Sequence, residues 1–137
     1  MDKYILDSCA LLAQVYDELG ADAVESIIDK ASTGTIIVYM NKLNLYEAYY
    51  DVLRSVGLQE AEQLYKEVQV SPIKIIDGIS DPVFRKAGLL KARYRISLAD
   101  SIALGEASVM GASILTSDHH EFDIVEKNEK IKFLWIR

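Results

Sequence analysis

Cysteine is almost missing from this chain: Cys9 is the only one in 137 residues. A single thiol forms no internal disulfide and no cysteine zinc cluster. A reducing cytoplasm is the expected setting. Proline is nearly as scarce, with only Pro72 and Pro82, and no low-complexity stretch, internal repeat or linker divides the sequence. No apolar run approaches the length of a membrane span, and the N-terminus carries no signal-peptide pattern, so no membrane contact is expected. Positive charge is in deficit: 15 Lys and Arg stand against 21 Asp and Glu, a net charge of -6. That balance excludes a general nucleic-acid coat protein. It still permits an enzyme that meets nucleic acid through one local patch and a metal. The two histidines, His119 and His120, are adjacent and lack the i, i+4 spacing of a helical zinc pair. The ordinary reading of such a pair is a surface loop, and no plausible Ser/His/Asp set is present.

What the chain does contain is ordinary for a soluble globular protein: 50% hydrophobic and 26% charged residues. Its length suits a single domain, residues 1–137, with a real core. Short β-branched or apolar runs alternate with helical spacing. Strands are expected at 4–6, 35–39, 70–76, 112–116 and 132–136. Pro72 marks the third of these as an edge candidate. Helices are expected over about 10–19, 22–31, 42–56, 59–67, 80–94 and 97–111. Ser80-Asp81-Pro82 is a strong helix start, with a capping side chain and proline in the first turn. Strands alternating with helices predict an α/β fold with a mostly parallel sheet.

In such a sheet the strand ends and the starts of the following helices share one rim. Four carboxylates fall where that rim could gather them. Asp7 follows the first strand, Asp118 follows the strand at 112–116, Asp100 lies in the first turn of an apolar helix, and Glu47 lies within an earlier one. Each has a bland reading. Asp7 suits a helix cap, and Asp118 suits a turn. Glu47 shares a polar stripe with Asn44, Asp51 and Arg54 that reads as a solvated helix face. Asp100, three residues after Ser97, matches a capping box. Yet its helical neighbours Ala103, Leu104 and Ala107 make an apolar stripe, and a buried carboxylate needs a partner. Together, four such groups would protonate or hold a hard divalent cation.

The stretches YILDSCALLA (4–13), NLYEAYYDVLR (44–54) and SLADSIALGEASVMGASILTSDHHEF (97–122) resemble the PIN-domain ribonucleases. The compact single-domain form is similar to the VapC-type toxins of prokaryotic toxin–antitoxin pairs. The resemblance implies a three-layer α/β/α sandwich and an acidic pocket that binds Mg²⁺ or Mn²⁺. It implies hydrolysis of RNA phosphodiesters to 5′-phosphate and 3′-hydroxyl products. It makes Asp7, Glu47, Asp100 and Asp118 the catalytic and metal-binding quartet, with Ser8 and Ser117 as pocket hydroxyls. It further implies a homodimer and a small antitoxin that blocks the pocket.

The chain departs from the family pattern after its last motif acid. The expected aromatic, Phe122, comes four residues after Asp118 rather than three. Glu121 or Asp123 is thereby a candidate to share the metal role. Cys9 stands where Ser or Asn is common, and with no basic group close in sequence it reads as a pocket wall rather than a nucleophile. Arg85, Lys86, Lys91, Arg93 and Arg95 form a run of positive charge with no acid among them. That run suits phosphate contacts and equally suits a solvated helix face. Tyr46, Tyr49 and Tyr50 around Glu47 read as core or subunit-interface packing. The rival to a metal-dependent nuclease is a PIN-fold module that binds RNA or protein without catalysis.

Overall fold

The computed structural model describes residues 1–137. Five strands, β1 (Asp2–Leu6), β2 (Ile36–Asn41), β3 (Lys74–Ile76), β4 (Ser113–Thr116) and β5 (Lys132–Trp135), form one sheet in the order β3-β2-β1-β4-β5. Every pairing is parallel. Seven helices connect them: α1 (Ser8–Val15), α2 (Ala21–Ser32), α3 (Lys42–Ser55), α4 (Leu58–Val70), α5 (Asp81–Arg93), α6 (Leu98–Met110) and α7 (His119–Asn128).

Strand side chains alternate between the two faces, and here that alternation builds two cores. Leu6 and Leu115 point to the face covered by α1 to α4, where Leu11, Val24, Leu45 and Leu64 are buried. Ile5 and Ile114 point to the opposite face, against Leu90 of α5, Leu104 of α6 and Phe122 of α7. Helices on both faces of a parallel sheet make the three-layer α/β/α sandwich that the resemblance implies. No helix is long and apolar enough to cross a membrane.

Three elements differ from the sequence reading. The first helix begins two residues early, at Ser8, and ends at Val15 rather than near Leu19. Asp17 takes a left-handed conformation (φ 51°) beyond it, and the Glu18 N–H turns back to the Ala13 carbonyl. The strand expected over 70–76 is only its last three residues. Val70 instead closes α4, and the Ser71 hydroxyl donates to the Val68 carbonyl while accepting from Ile73 N–H. Pro72 sits in that connection, and β3 is an edge strand as expected. Finally, His119 and His120 do not lie in a loop: they open α7.

The strand order reverses direction between β1 and β4. The chain leaves β1 for β2 and β3 on one side, then returns to β4 and β5 on the other. The crevice beyond the carboxyl ends of two such strands is where open α/β sheets bind ligands.

Candidate metal centre

Asp7 is the residue that follows β1 at this switch point. It is 1% exposed. Its Oδ1 caps α1 by accepting from Ala10 N–H at 2.8 Å. Its Oδ2 is buried with no hydrogen-bond partner. One oxygen thus serves the fold and the other is left free. Burial pushes the Asp7 carboxyl up to about 7. The Thr116 hydroxyl and the Ala10 N–H oppose that rise, and the charges of Asp118 and Glu47 add to it.

Asp100 enters from α6. Ser97 caps this helix, its Oγ accepting from Asp100 N–H at 3.1 Å. A capping box would return the third-residue carboxylate to the Ser97 N–H. Here Glu121 of α7 accepts that N–H instead, at 3.4 Å. The Asp100 carboxylate is therefore spared from capping and lies 6% exposed. Burial raises its pKa to about 9, followed by the hydrogen bond and charge of Glu121 and by the charges of Asp7 and Glu47.

Glu47 comes from α3 and accepts a hydrogen bond from the Ser8 hydroxyl, which is itself buried. The stripe expected to be solvated is not. Asn44, one turn before Glu47, is wholly buried; its Nδ2 donates to the Ala99 carbonyl at 3.3 Å, and its Oδ1 has no partner. Glu47 is half-buried. At the far end of the stripe Arg54 is exposed and pairs with Asp51 at 3.7 Å. The packing of α6 against α3 draws the near end inward.

Asp118 follows β4 and caps α7, its Oδ1 accepting from Glu121 N–H at 3.1 Å. Ser117 stands half-buried beside it. One ligand oxygen from each of Asp100, Asp118 and Glu121 can be chosen so that all lie within 4.8 Å of one another. Of the two extra acids considered, Glu121 thus joins the cluster. Asp123 does not: exposed on the next turn, it binds His119 Nδ1 at 2.7 Å.

Asp7, Glu47, Asp100, Asp118 and Glu121 appear in none of the six ion pairs of the chain. Three of these acids lie within 4.8 Å of one another and the charges of Asp7 and Glu47 bear on Asp100, with no cation paired to any of the five. Oxygen donors of this number suit a hard divalent ion such as Mg²⁺ or Mn²⁺, and the orphaned Asp7 Oδ2 is a buried acceptor for one or for its water. The same negative field, after burial, raises the Cys9 thiol above its ordinary range. A thiol held protonated is a wall, not a nucleophile.

The remaining candidates lie off this cluster. Lys86 and Arg93 converge on Glu129, at 3.9 and 3.4 Å, and Lys91 Nζ donates to the Ile96 carbonyl at 2.8 Å. Only Arg85 and Arg95 of the basic run are exposed with neither an ion pair nor a side-chain hydrogen bond. His119 stacks on Trp135 with ring centroids 3.8 Å apart, and its Nε2 meets the Arg137 carbonyl at 2.8 Å. It fastens α7 to the end of the chain. Tyr46 and Tyr50 are exposed, stacked on each other at 6.5 Å, and Tyr49 is half-buried. The helix α7, missing from the sequence reading, had a signal: an acid at 118, Glu three residues later, and Phe122 and Val125 at helical spacing.

The PIN domain family matches residues 4–128. No curated protein matches the chain in sequence. Among solved structures, a DNA-bound VapBC complex from Salmonella typhimurium contains a chain similar at a TM-score of 0.76 and 15% identity, covering 100% of each chain. VapBC2 from Rickettsia felis, bound to a fragment of its promoter, gives 0.75 and 15%, covering 97% of this chain and 98% of that one. A sarcin–ricin loop cleaving VapC toxin from Mycobacterium tuberculosis gives 0.67 and 10%, covering 91% and 95%. The chain belongs to the PIN-domain family and has the fold of its VapC-type members.

Proposed function

We propose that this chain is a divalent-metal-dependent endoribonuclease that hydrolyses RNA phosphodiester bonds, the toxin of a toxin–antitoxin pair. The observation that supports the reading is the cluster of Asp100, Asp118 and Glu121 beside the switch point, with the charges of Asp7 and Glu47 bearing on Asp100 and no cation paired to any of them. Asp100, Asp118 and Glu121 would hold the ion, with Asp7 and Glu47 as further oxygen donors. Mg²⁺ or Mn²⁺ bound there supplies the charge that acidifies a water and neutralises the phosphodiester. The chain's own groups then have defined tasks. The Ser8 hydroxyl orients Glu47. The buried Asp7 Oδ2, which no protein donor occupies, is left available to the ion or to its water. Ser117 borders the turn that presents Asp118, and exposed Arg85 and Arg95 offer charge for RNA phosphates.

Partners follow from the same reading. Two of the similar structures are VapBC complexes, which supports an antitoxin, and a basic antitoxin side chain would satisfy these carboxylates in place of the ion. The exposed Tyr46–Tyr50 pair favours a homodimer, since exposed apolar patches mark interfaces. Light scattering at micromolar concentration checks that mass.

The activity test uses the purified chain and a single-stranded RNA. Cleavage should require Mg²⁺ or Mn²⁺, stop in EDTA and be abolished in Asp100→Asn. Undiminished cleavage by Asp100→Asn would remove the assignment. Divalent and RNA binding without cleavage by the wild type would instead favour the non-catalytic PIN-fold module.

A further inference from the structure

Glu106 is the buried carboxylate that the acidic rim does not use. It lies on α6, six residues and about 9 Å along the axis from Asp100, and is 1% exposed. Its Oε2 accepts from Asn41 Nδ2 at 3.0 Å, and its Oε1 has no partner. Asn41 is buried too. It is the last residue of β2 and the cap of α3, its Oδ1 accepting from Leu43 N–H at 2.9 Å. Its Nδ2 also donates to the Gly78 carbonyl, at 3.1 Å, beyond β3. An asparagine amide has one oxygen and two N–H donors. All are engaged here, so the amide has one orientation. The end of β2, the start of α3, the loop after β3 and the middle of α6 meet at this side chain.

The two helices joined here carry two of the metal-centre acids. Glu47 lies on α3, six residues after Asn41, and Asp100 lies on α6, six before Glu106. One other polar bond joins α3 to α6, from Asn44 Nδ2 to the Ala99 carbonyl at 3.3 Å. Stability does not account for Glu106. A carboxylate buried with one oxygen unbonded costs free energy that an apolar side chain of similar size would not. What the carboxylate supplies is direction: it accepts from one N–H on one side.

We propose that Glu106 is a positioning residue of the metal centre, holding α6 against α3 through Asn41 and so setting the separation of Asp100 from Glu47. The inference rests on the metal-dependent reading above. Loss of an outer partner of this kind typically weakens metal binding by about 10- to 100-fold.

The test is Mn²⁺ affinity of the folded protein, by electron paramagnetic resonance of the free ion. Glu106→Met should weaken Mn²⁺ by about tenfold or more. Glu106→Gln, whose amide oxygen still accepts from Asn41, should stay near wild type. Leu64→Ala, a cavity in α4 remote from the bond, should lower the melting temperature and leave Mn²⁺ affinity alone. If Glu106→Met does not fold, Asn41→Asp replaces it. That variant keeps the capping oxygen but sets two carboxylates face to face, and the same loss is expected. Wild-type affinity in whichever variant folds, or an equal loss in Leu64→Ala, overturns the proposal. A wild-type protein that binds no Mn²⁺ overturns the metal reading itself, and this inference with it.

Discussion

Asp100 carries the largest electrostatic tension in the chain. In an unfolded chain it ionises near 3.8, and in the folded protein near 9. Between those values the folded state holds a proton that the unfolded state has released. Unfolding then releases protons, so stability falls as pH rises. The slope for one fully differing group is about 1.4 kcal/mol per pH unit. Asp7 adds to it below about 7. The metal-free protein is therefore expected to lose stability from pH 6 to pH 8.5, and Asp100→Asn, which has no such proton to lose, to flatten that slope. Urea unfolding in EDTA at the two pH values measures both. An identical slope in wild type and variant would count against the burial of this charge. Divalent binding must run the other way, tightening with pH as the ligands lose protons.

The helix α7 combines two tasks in one residue. Asp118 caps it through Oδ1 and also contributes to the acid cluster. Substitution can separate the roles. Asp118→Asn keeps a capping oxygen and should change stability little, whereas Asp118→Ala should cost about 1 kcal/mol through the lost cap. Both remove the charge and should lose Mn²⁺ binding. Calorimetry for the ion and chemical denaturation for the fold give the two readings. Full Mn²⁺ affinity in Asp118→Asn would reduce Asp118 to a cap. Asp7 has the same double character at the start of α1, with one oxygen capping and the other free. In both cases a carboxylate that caps a helix keeps a second oxygen, so capping and a ligand role are compatible.

Over the whole molecule negative charge dominates, and most of the basic run at 85–95 is engaged internally. Of the basic run, Lys86 and Arg93 neutralise Glu129 and Lys91 holds the turn into α6. The exposed pair Arg85 and Arg95 is what remains for RNA. Arg85→Glu with Arg95→Glu should weaken RNA binding and flatten its dependence on salt, since fewer counterions are released. Fold stability should hardly move, because exposed charges contribute little. An unchanged salt slope in filter binding would return both arginines to solubility. The helix α6 is buried from Ala99 to Ala107, leaving Leu98 and Val109 exposed. Exposed aromatic surface on α3 is that of Tyr46 and Tyr50.

The alternation of strands and helices, the apolar stripe beside Asp100 and the caps at Ser80 and Ser97 were legible in the chain itself. Period-2 and period-3.6 patterns and capping hydroxyls are local, acting within a few residues of where they are written. The resemblance carried four of the acids. Tertiary structure alone decided the rest. It gave Glu121 to the cluster, because the Ser97 N–H found its acceptor on α7 rather than on its own helix. It buried Asn44, by laying α6 across a stripe that looks solvated on α3 alone. It spent three of five cations on partners as far as 43 positions away, such as Glu129 for Lys86. It joined Asn41 to Glu106 across 65 positions. Side-chain bonds and desolvation depend on distance in space, and that distance is set only when both faces of the sheet have been covered.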